Sequence, residues 1–480
     1  MQGKKLLSFY QKQKKITELK SLLPEVFAGD QLDIQKLKFY LEADQFQDES
    51  NYGLSWFGKD ASMQQANEKV TDKLVFDKAK SVQPNKTKNL FVEGDNLDAL
   101  RLLQKDYAGK IKLIYVDPPY NTGKDFGYND RFKIRSNQYL EFLNGSGIDR
   151  VDSFLKNQIE SGEVHTNWLN MIYPRLVLSR QLLTGNGAIA ISIDESEKSN
   201  VQLVCNEIFG EDNFVGCCIW VNRSNSNANS NSFAANHEYI LIYAKDSNEI
   251  KLKGELKDLS NYSNPDNDSN GDWLPDNPSA ASGNSNSRFT ITNPYTNEKY
   301  LPPQGRYWAF SEQRVSEWFD SGKLIFPKEK GKRFLLKKYK SELKSIYNPV
   351  SSIITDIPTS KGTRELKELY PEGNPFKYPK PTDLLVKIFE QLSDEEDLIL
   401  DLFAGSASAV HAVFKLNEKQ SSNRRFICVQ NTEAIKEDSD AFRIGFSFIS
   451  DLTKDRIVRA GKIFHTVDTG FKFYRIEKMI

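Results

Sequence analysis

Apolar positions along this chain fall into two kinds of run. Short, unbroken runs rich in branched side chains recur at 89–93 (NLFVE), 111–116 (IKLIYV), 188–193 (AIAISI), 398–403 (LILDLF) and 425–430 (RFICVQ). Their length and branching predict strands buried on both faces, as in a parallel sheet. Between them, apolar residues recur every three or four positions in LDALRLL (97–103), TNWLNMIYPRLVLSRQLL (166–183), VQLVCNEIFG (201–210), DLLVKIFEQL (383–392) and AVHAVFKLN (409–417). That spacing predicts amphipathic helices. Gly94-Asp95-Asn96 reads as a turn that caps the first of them through Asp95 or Asn96. The segment from 89 to 116 is thus a strand–helix–strand unit of about 30 residues, which predicts an α/β fold with a parallel sheet.

Further signals extend the pattern. Pro174 lies inside the long helix and predicts a kink. Gly185-Asn186-Gly187 is expected to end that helix, and Gly210 the next one. Asp194 and Glu195 fall at the C-terminal edge of the 188–193 strand. Residues 213–220, 238–243 and 470–476 read as additional strands. The first 50 residues look helical, in LKSLLPEVF and IQKLKFYLEADQF, and 52–62 (YGLSWFGKDAS) as a loop or short strand. Packing and a docking arm both account for the N-terminal helices.

The middle of the chain differs. Residues 222–236 alternate Asn, Ser and Ala, and 261–287 is rich in Asn, Asp, Ser, Pro and Gly. Both are expected to be loops or mobile segments without a core. Residues 292–310 are aromatic and turn-rich. Residues 328–344 (KEKGKRFLLKKYKSELK) carry eight basic residues against Glu329 and Glu342, with Phe334 and Tyr339 interleaved. Such a run is either a solvated helix face or a phosphate-contacting surface. Roughly 222–355 therefore reads as an inserted module.

Composition narrows the classes. The chain has 480 residues, 65 basic and 65 acidic, so a globally basic binder is excluded but a local basic surface is not. No run of 18 apolar residues predicts a membrane span, and the N-terminus has no secretory h-region, so a cytoplasmic location is expected. The four cysteines form no disulfide framework, and Cys217-Cys218 has no CxxC partner for zinc; no metal is expected.

Two breaks carry the candidate chemistry. The 111–116 strand stops at Asp117-Pro118-Pro119-Tyr120, because two prolines cannot continue a ladder. This leaves a carboxylate, rigid carbonyls and an aromatic ring at the sheet edge where open α/β folds bind ligands. The 398–403 strand breaks into Ala404-Gly405-Ser406-Ala407-Ser408-Ala409, small residues opening a helix. Small side chains let a nucleotide-like ligand approach the backbone, and the helix start offers free amides. The turn lacks the GK[ST] of a P-loop and the spacing of a dinucleotide fingerprint.

Together these residues resemble the S-adenosylmethionine-dependent amino-methyltransferases of DNA, with the target-side motif before the cofactor motif as in the circularly permuted beta group. YGLSWFGK, VEGDNLDALRLL, DPPYNTGKDFGYNDRF, WLNMIYPRL, ISIDESE, IFGEDNF, HEYILIYAKD, GTRELKELY, YPKPTDLL, ILDLFAGSASAVHAV and NRRFICVQ resemble segments of the Mod (modification) subunits of type III restriction-modification systems. The resemblance implies a Rossmann-like methyltransferase sheet with helices on both faces, circularly permuted and interrupted by a target-recognition domain. It implies an N-terminal helical arm (1–60), a target-side half (61–243), the recognition domain (244–355), and a cofactor half with C-terminal strands (356–480).

The resemblance further implies methyl transfer from S-adenosyl-L-methionine to N6 of a flipped-out adenine. Asp117, Pro118, Pro119 and Tyr120 would be catalytic. Cofactor contacts would come from Asp401, Phe403, Ala404, Gly405, Ser406, Lys380, Thr382 and Asn121, with Asp95 a weaker candidate. The ribose partner falls to Gln430 or Glu433, since this chain lacks the usual acid at the end of the 425–430 strand. Ala407 departs from the family's usual glycine and is strained if the backbone needs a positive φ. Double-stranded DNA, a second copy of the chain and a Res helicase–nuclease subunit are the implied partners. Cytosine N4 as target, and a DNA-binding specificity subunit with little turnover, are the alternatives. The first Asp of the motif favours adenine.

Overall fold

A computed structural model of the chain describes residues 9–24, 27–28, 31–32, 53–121, 153–223 and 233–478. Within the expected N-terminal arm, Phe9–Leu22 is helical; the expected helix at 34–46 and the Asn/Ser stretch at 224–232 lie outside the described residues. The chain divides into two compact units, Met1–Lys253 with Ser351–Ile480, and Gly254–Val350. Among the described residues, no helix is long and apolar enough to cross a membrane.

The larger unit is built on one ten-stranded sheet. Its strands in chain order are β1 (Lys73–Val82), β2 (Leu90–Glu93), β3 (Ile111–Val116), β4 (Leu183–Ile193), β5 (Phe214–Val221), β6 (His237–Ala244), β7 (Ile353–Ile354), β8 (Leu398–Asp401), β9 (Arg425–Gln430) and β10 (Phe471–Glu477). Across the sheet they run β7-β5-β6-β4-β3-β8-β9-β2-β10-β1. The six from β4 to β10 are mutually parallel. The helices that matter below are α1 (Asn96–Tyr107), α2 (Ser153–Leu182), α3 (Lys198–Phe209), α4 (Thr359–Leu369), α5 (Thr382–Leu392), α6 (Ser408–Gln420) and α7 (Ile449–Gly461).

Alternation along each strand feeds two cores. Ile114 and Val116 of β3 pack with Leu400 of β8, Val429 of β9 and the apolar faces of α1, α2 and α3. Leu113 and Tyr115 pack the other way, with Ile399, α5 and α6. Phe91 and Cys428 face a third cluster containing residues of α4, α6 and α7. Helices therefore cover both faces, as near-continuous apolar strands demand.

The local signals acted mostly as expected. Asp95 caps α1, its Oδ1 accepting from the Leu97 and Asp98 amides at 2.8 and 3.2 Å. Gly210 ends α3 with φ 96°. Gly185-Asn186-Gly187 does not separate helix from strand. The segment lies inside β4, where Leu183 pairs with Ile111 and Ala188 already pairs with Leu113. The residues between bulge out, and Lys112 Nζ holds the Asn186 carbonyl at 2.7 Å. Residues 53–58 contain no strand and run into a helix, Lys59–Ala66. β1 carried no sequence expectation: its lysines interrupt the apolar pattern, as suits an edge strand.

The smaller unit has its own core, in which Ile291, Trp308, Phe310, Leu324, Phe326, Phe334 and Leu336 meet. Two expectations are corrected here. Residues 261–287 are not only loop: Trp273–Asp276 forms a strand antiparallel to Leu335–Tyr339. Local side-chain bonds satisfy the backbone around it, as where the Asp268 amide donates to Asn264 Oδ1 at 2.6 Å. The basic run is not a helix face. Its centre is that strand, and Lys337 is buried at 3% side-chain exposure between Asp266 and Asp268. Those two partners hold it charged, and the Lys337 bonds in turn draw the Asp268 carboxyl well below the usual range.

One packing contact matters for the site. α4 crosses the backbone of 379–381 at Gly362, where an added Cβ would stand 2.2 Å from the Pro379 carbonyl oxygen. One turn on, Glu365 accepts from the Thr382 amide at 3.0 Å and the Thr382 hydroxyl at 2.9 Å. Pro381, at the N-cap of α5, offers no side-chain cap, so a carboxylate from another helix supplies it. Gly362→Ala is therefore expected to lose about 1–3 kcal/mol of stability by overpacking. Denaturant unfolding should show the loss, while a control substitution at exposed Lys367 should not.

Candidate functional site

The site begins with a strand pairing. β3 and β8 lie side by side and parallel, with Asp401 opposite Tyr115 and the Leu402 amide bonded to the Tyr115 carbonyl at 3.1 Å. Both strands then break at the same edge. Asp117, Pro118, Pro119 and Tyr120 line a cleft of about 580 Å³ together with Phe403, Gly405, Gln430 and Glu433. A smaller cavity of about 90 Å³ shares Asp117, Lys380, Phe403 and Gly405 with it and adds Asp401, Ala404 and Ser406. The volume suits a small organic ligand, and polar groups converge on it.

The Asp117 corner is held by a compact charge cluster. Tyr120 Oη lies 3.0 Å from Asp117 Oδ1 and 3.1 Å from Glu238 Oε2. Lys380 Nζ stands 3.2 Å from Asp117 Oδ1, 3.0 Å from Glu238 Oε2 and 2.5 Å from Tyr120 Oη, and lies over the Tyr120 ring at 4.7 Å. Asn222 donates to the other Glu238 oxygen at 2.8 Å. Trp168 Nε1 donates to the Pro119 carbonyl at 2.6 Å. Among the described residues, neither Asp117 Oδ2 nor the Pro118 carbonyl receives a hydrogen bond.

Burial raises the Asp117 carboxyl, with Lys380 opposing and Glu238 adding to the rise. Burial would discharge Lys380, but Asp117 and Glu238 outweigh it and hold the ammonium above its ordinary value. Asp401 is the least compensated group. Burial, reinforced by Asp117, pushes its carboxyl up to about 8, and its Oδ1 is buried without a hydrogen-bond partner.

The small-residue turn is held from behind. The Gly405 amide donates to Gln430 Oε1 at 2.7 Å, and Thr453 Oγ1 to the Gly405 carbonyl at 2.5 Å. Arg456, fully buried in α7, donates to the Ser406 and Ser408 hydroxyls at 2.8 and 2.9 Å. Ala407 takes φ 60° and ψ 31°. The strained alternative raised by the sequence is the one this backbone adopts.

Three expected site residues line neither cavity. Asp95 is engaged as the α1 cap and with buried Arg175 at 3.3 Å. Thr382 is buried against Glu365. Asn121, at φ 60°, donates its carboxamide to the Val164 carbonyl at 3.2 Å and to the Glu197 carboxylate. Motif membership made these look like ligand contacts; Asp95 and Thr382 are bonded within the scaffold, and Asn121 Oδ1 is buried without a hydrogen-bond partner among the described residues. Conversely, Glu238, Trp220, Arg223, Phe376 and Tyr378 line the cleft and were not singled out. Only Glu238 gave a signal: it is an acid opening the apolar strand β6, where a charge needs a partner.

Asp117 and Glu238 already share Lys380, and Glu433 and Arg223 both line the cleft, so Asp401 is the carboxylate left without a nearby cation. A cationic ligand would give Asp401 a countercharge.

Comparison with known proteins agrees with that chemistry. The DNA methylase family profile matches residues 111–443. The Mod subunit of the type III restriction-modification enzyme EcoP15I of Escherichia coli is 34% identical, over 96% of this chain and 77% of that protein. The StyLTI Mod subunit of Salmonella typhimurium is 33% identical, over 96% and 73%. The EcoPI Mod subunit of Escherichia phage P1 is 32% identical, over 92% and 74%.

Ala407→Gly removes a left-handed, fully buried alanine from the turn. It is expected to stabilise the protein by about 1 kcal/mol. Thermal unfolding should shift upward by a few degrees, and an unchanged or lower midpoint would show that the methyl group contributes more by packing than it costs in strain.

Proposed function

The chain belongs to the DNA methylase family and, within it, to the Mod subunits of type III restriction-modification enzymes, and we propose that its cleft moves a methyl group from S-adenosylmethionine to N6 of an adenine swung out of double-stranded DNA. The observation that supports this reading is that the Asp117–Tyr120 corner and the Phe403–Gly405 corner open onto one cavity. The relatives do not favour the alternatives, cytosine N4 or a specificity subunit with little turnover.

S-adenosylmethionine, when bound, supplies an electrophilic methyl group on a sulfonium. Asp401, Phe403, Gly405 and Ser406 would hold it, with Gln430 and Glu433 at the rim. Asp117 Oδ2 accepts one hydrogen of the adenine amine and the Pro118 carbonyl the other. Those two acceptors draw the hydrogens out of the ring plane, so the nitrogen lone pair is no longer delocalised into the purine. The gain is in positioning and in electrostatics within a site partly shielded from water. The Tyr120 ring stacks on the extruded base and offsets part of the few kcal/mol that extrusion costs. As the nitrogen gains the methyl group it must release a proton. Asp117 Oδ2 takes it, which the burial-raised affinity of that carboxyl favours.

The smaller unit, Gly254–Val350, is the part that grips phosphates and reads base edges in this proposal. Lys330, Lys332, Arg333 and Lys338 are exposed and available for it. The chain works as a homodimer and joins a Res helicase–nuclease subunit. Sedimentation tests the first, and co-purification tests the second.

Incubation with methyl-labelled S-adenosylmethionine and DNA tests the proposal. Label on adenine N6 is expected; label on cytosine, or specific binding without label, overturns it. Asp117→Ala should lower transfer about a thousandfold and leave donor and DNA affinity within severalfold. Loss of donor binding along with activity would remove Asp117 from its role.

Donor binding should also depend on pH. The cationic donor favours the ionised form of Asp401, whose carboxyl titrates near pH 8 in its absence. Affinity is therefore expected to rise with pH up to about 8 and to fall by up to about tenfold per unit below it. Calorimetry in buffers of different ionisation heat should show proton release on binding near neutral pH, and Asp401→Asn should abolish the release.

A further inference from the structure

Asp117 presents its two oxygens asymmetrically. Oδ1 meets Lys380 and Tyr120, whereas Oδ2 receives no hydrogen bond among the described residues. The donors on Oδ1 would be free to swing across the carboxylate if Asp117 alone held them. They are not free, because Glu238 Oε2 lies against the same two groups, Lys380 at 3.0 Å and, at 3.1 Å, the Tyr120 hydroxyl, whose single proton the two carboxylates share. Glu238 is itself fixed through its other oxygen, which accepts from Asn222. The Asn222 carbonyl in turn takes the Thr359 amide and hydroxyl at 3.1 and 3.0 Å. A chain of bonds thus runs from the start of α4, through the residue after β5 and the second residue of β6, to the motif at the end of β3.

We propose that Glu238 is a positioning residue for methyl transfer: it anchors Lys380 and Tyr120 on the far side of Asp117, so that Asp117 keeps its orientation and turns Oδ2 toward the target amine. The inference rests on the proposed reaction and adds to it a residue that touches neither donor nor target. Without the second carboxylate, the ammonium would close on Asp117 alone and compete with the amine for it. The same displacement would tilt the Tyr120 ring, since Lys380 lies over its face. The other ionisable groups that sense the Glu238 charge are Asp194, at the end of β4, and Tyr115, beneath the cluster. Arg223 shares the cleft wall.

The test uses the full-length protein with Glu238→Gln, which keeps the shape and removes the charge. Donor affinity by calorimetry and DNA affinity are expected to stay within threefold of the parent. The single-turnover transfer rate should fall at least tenfold. The acid limb of the pH–rate profile should move to lower pH, because Glu238 raises the Asp117 carboxyl and its removal leaves Lys380 to act on Asp117 alone. An NMR titration of the Asp117 carboxyl should show the same downward move, and it does so whether or not the protein transfers methyl groups. Glu238→Asp keeps the charge and shortens the reach, so it should lose rate with the acid limb unmoved. Lys380→Met combined with Glu238→Gln should lose little more than Lys380→Met alone. A parental rate in Glu238→Gln, an unmoved Asp117 titration, or additive losses in the double variant would each overturn the inference. If the parent chain transfers no methyl group to adenine, the proposed reaction fails; the carboxyl titration still decides whether Glu238 controls Asp117.

Discussion

The pairing of β3 with β8 is the constraint on which the site depends. These strands come from the two separate segments of the larger unit, with the whole smaller unit between them in sequence. Their parallel ladder fixes Asp401 beside Tyr115, and one further amide, Leu402 to Tyr115, extends the register to the edge. A one-residue slip would reverse the facing of Leu398, Ile399 and Leu400, which feed two different cores. The register is therefore specified by burial on both faces, and the chemistry at the edge inherits that specification. Neither break would make a site alone, because each supplies one wall of the same cleft.

That placement has an electrostatic consequence. Taking carboxylates out of water is costly unless they are paired, and removing one member of a pair leaves an uncompensated charge. The Asp117 corner meets this requirement internally, through Lys380 shared with Glu238. The Asp401 corner does not, for Oδ1 is orphaned and the carboxyl is driven toward its neutral form. The two corners thus divide their work. One is organised before any ligand arrives, and the other is completed by a ligand that brings positive charge. A methyl donor carrying a sulfonium has that property, which links the protonation of Asp401 to occupancy of the cofactor side.

Much of the fold was legible because it depends on local periodicity. Strands buried on two faces read as continuous apolar runs, and the prolines and the small-residue turn mark where β3 and β8 stop. What escaped has specific causes. β1 is an edge strand whose lysines break the pattern, although it pairs along most of β10. The Asn- and Asp-rich stretch at 261–287 looked coreless because composition cannot show that side chains bond their own backbone, or that Trp273 lies against a strand distant in sequence. Lys337 resembled every other lysine in its run, and only Asp266 and Asp268, about seventy residues earlier, explain its burial. In the site, motif matching carried Asp117, Tyr120 and Gly405 to the cleft. It could not separate residues that line the cleft from those that support it, such as Thr382 and Asp95. Glu238 belongs to the first group, and its partners come from three other segments.

Strain near the cleft has a related origin. Tyr378 and Ala407 adopt positive φ without being glycine. Such conformations persist only where the surroundings over-determine them, and each costs of order 1–3 kcal/mol. Both are fixed from outside their own segments. Tyr378 precedes the 379–381 backbone, against which α4 packs through Gly362, and Glu365 secures Thr382 directly after it. Ala407 lies between two serines gripped by Arg456, with Gln430 and Thr453 holding Gly405 just before it. A relaxed turn at either place would have to move the backbone that lines both cavities. The strain is the consequence of bringing Lys380 to Asp117 and Gly405 to Asp401 on one edge. It persists because these contacts from other segments over-determine both turns.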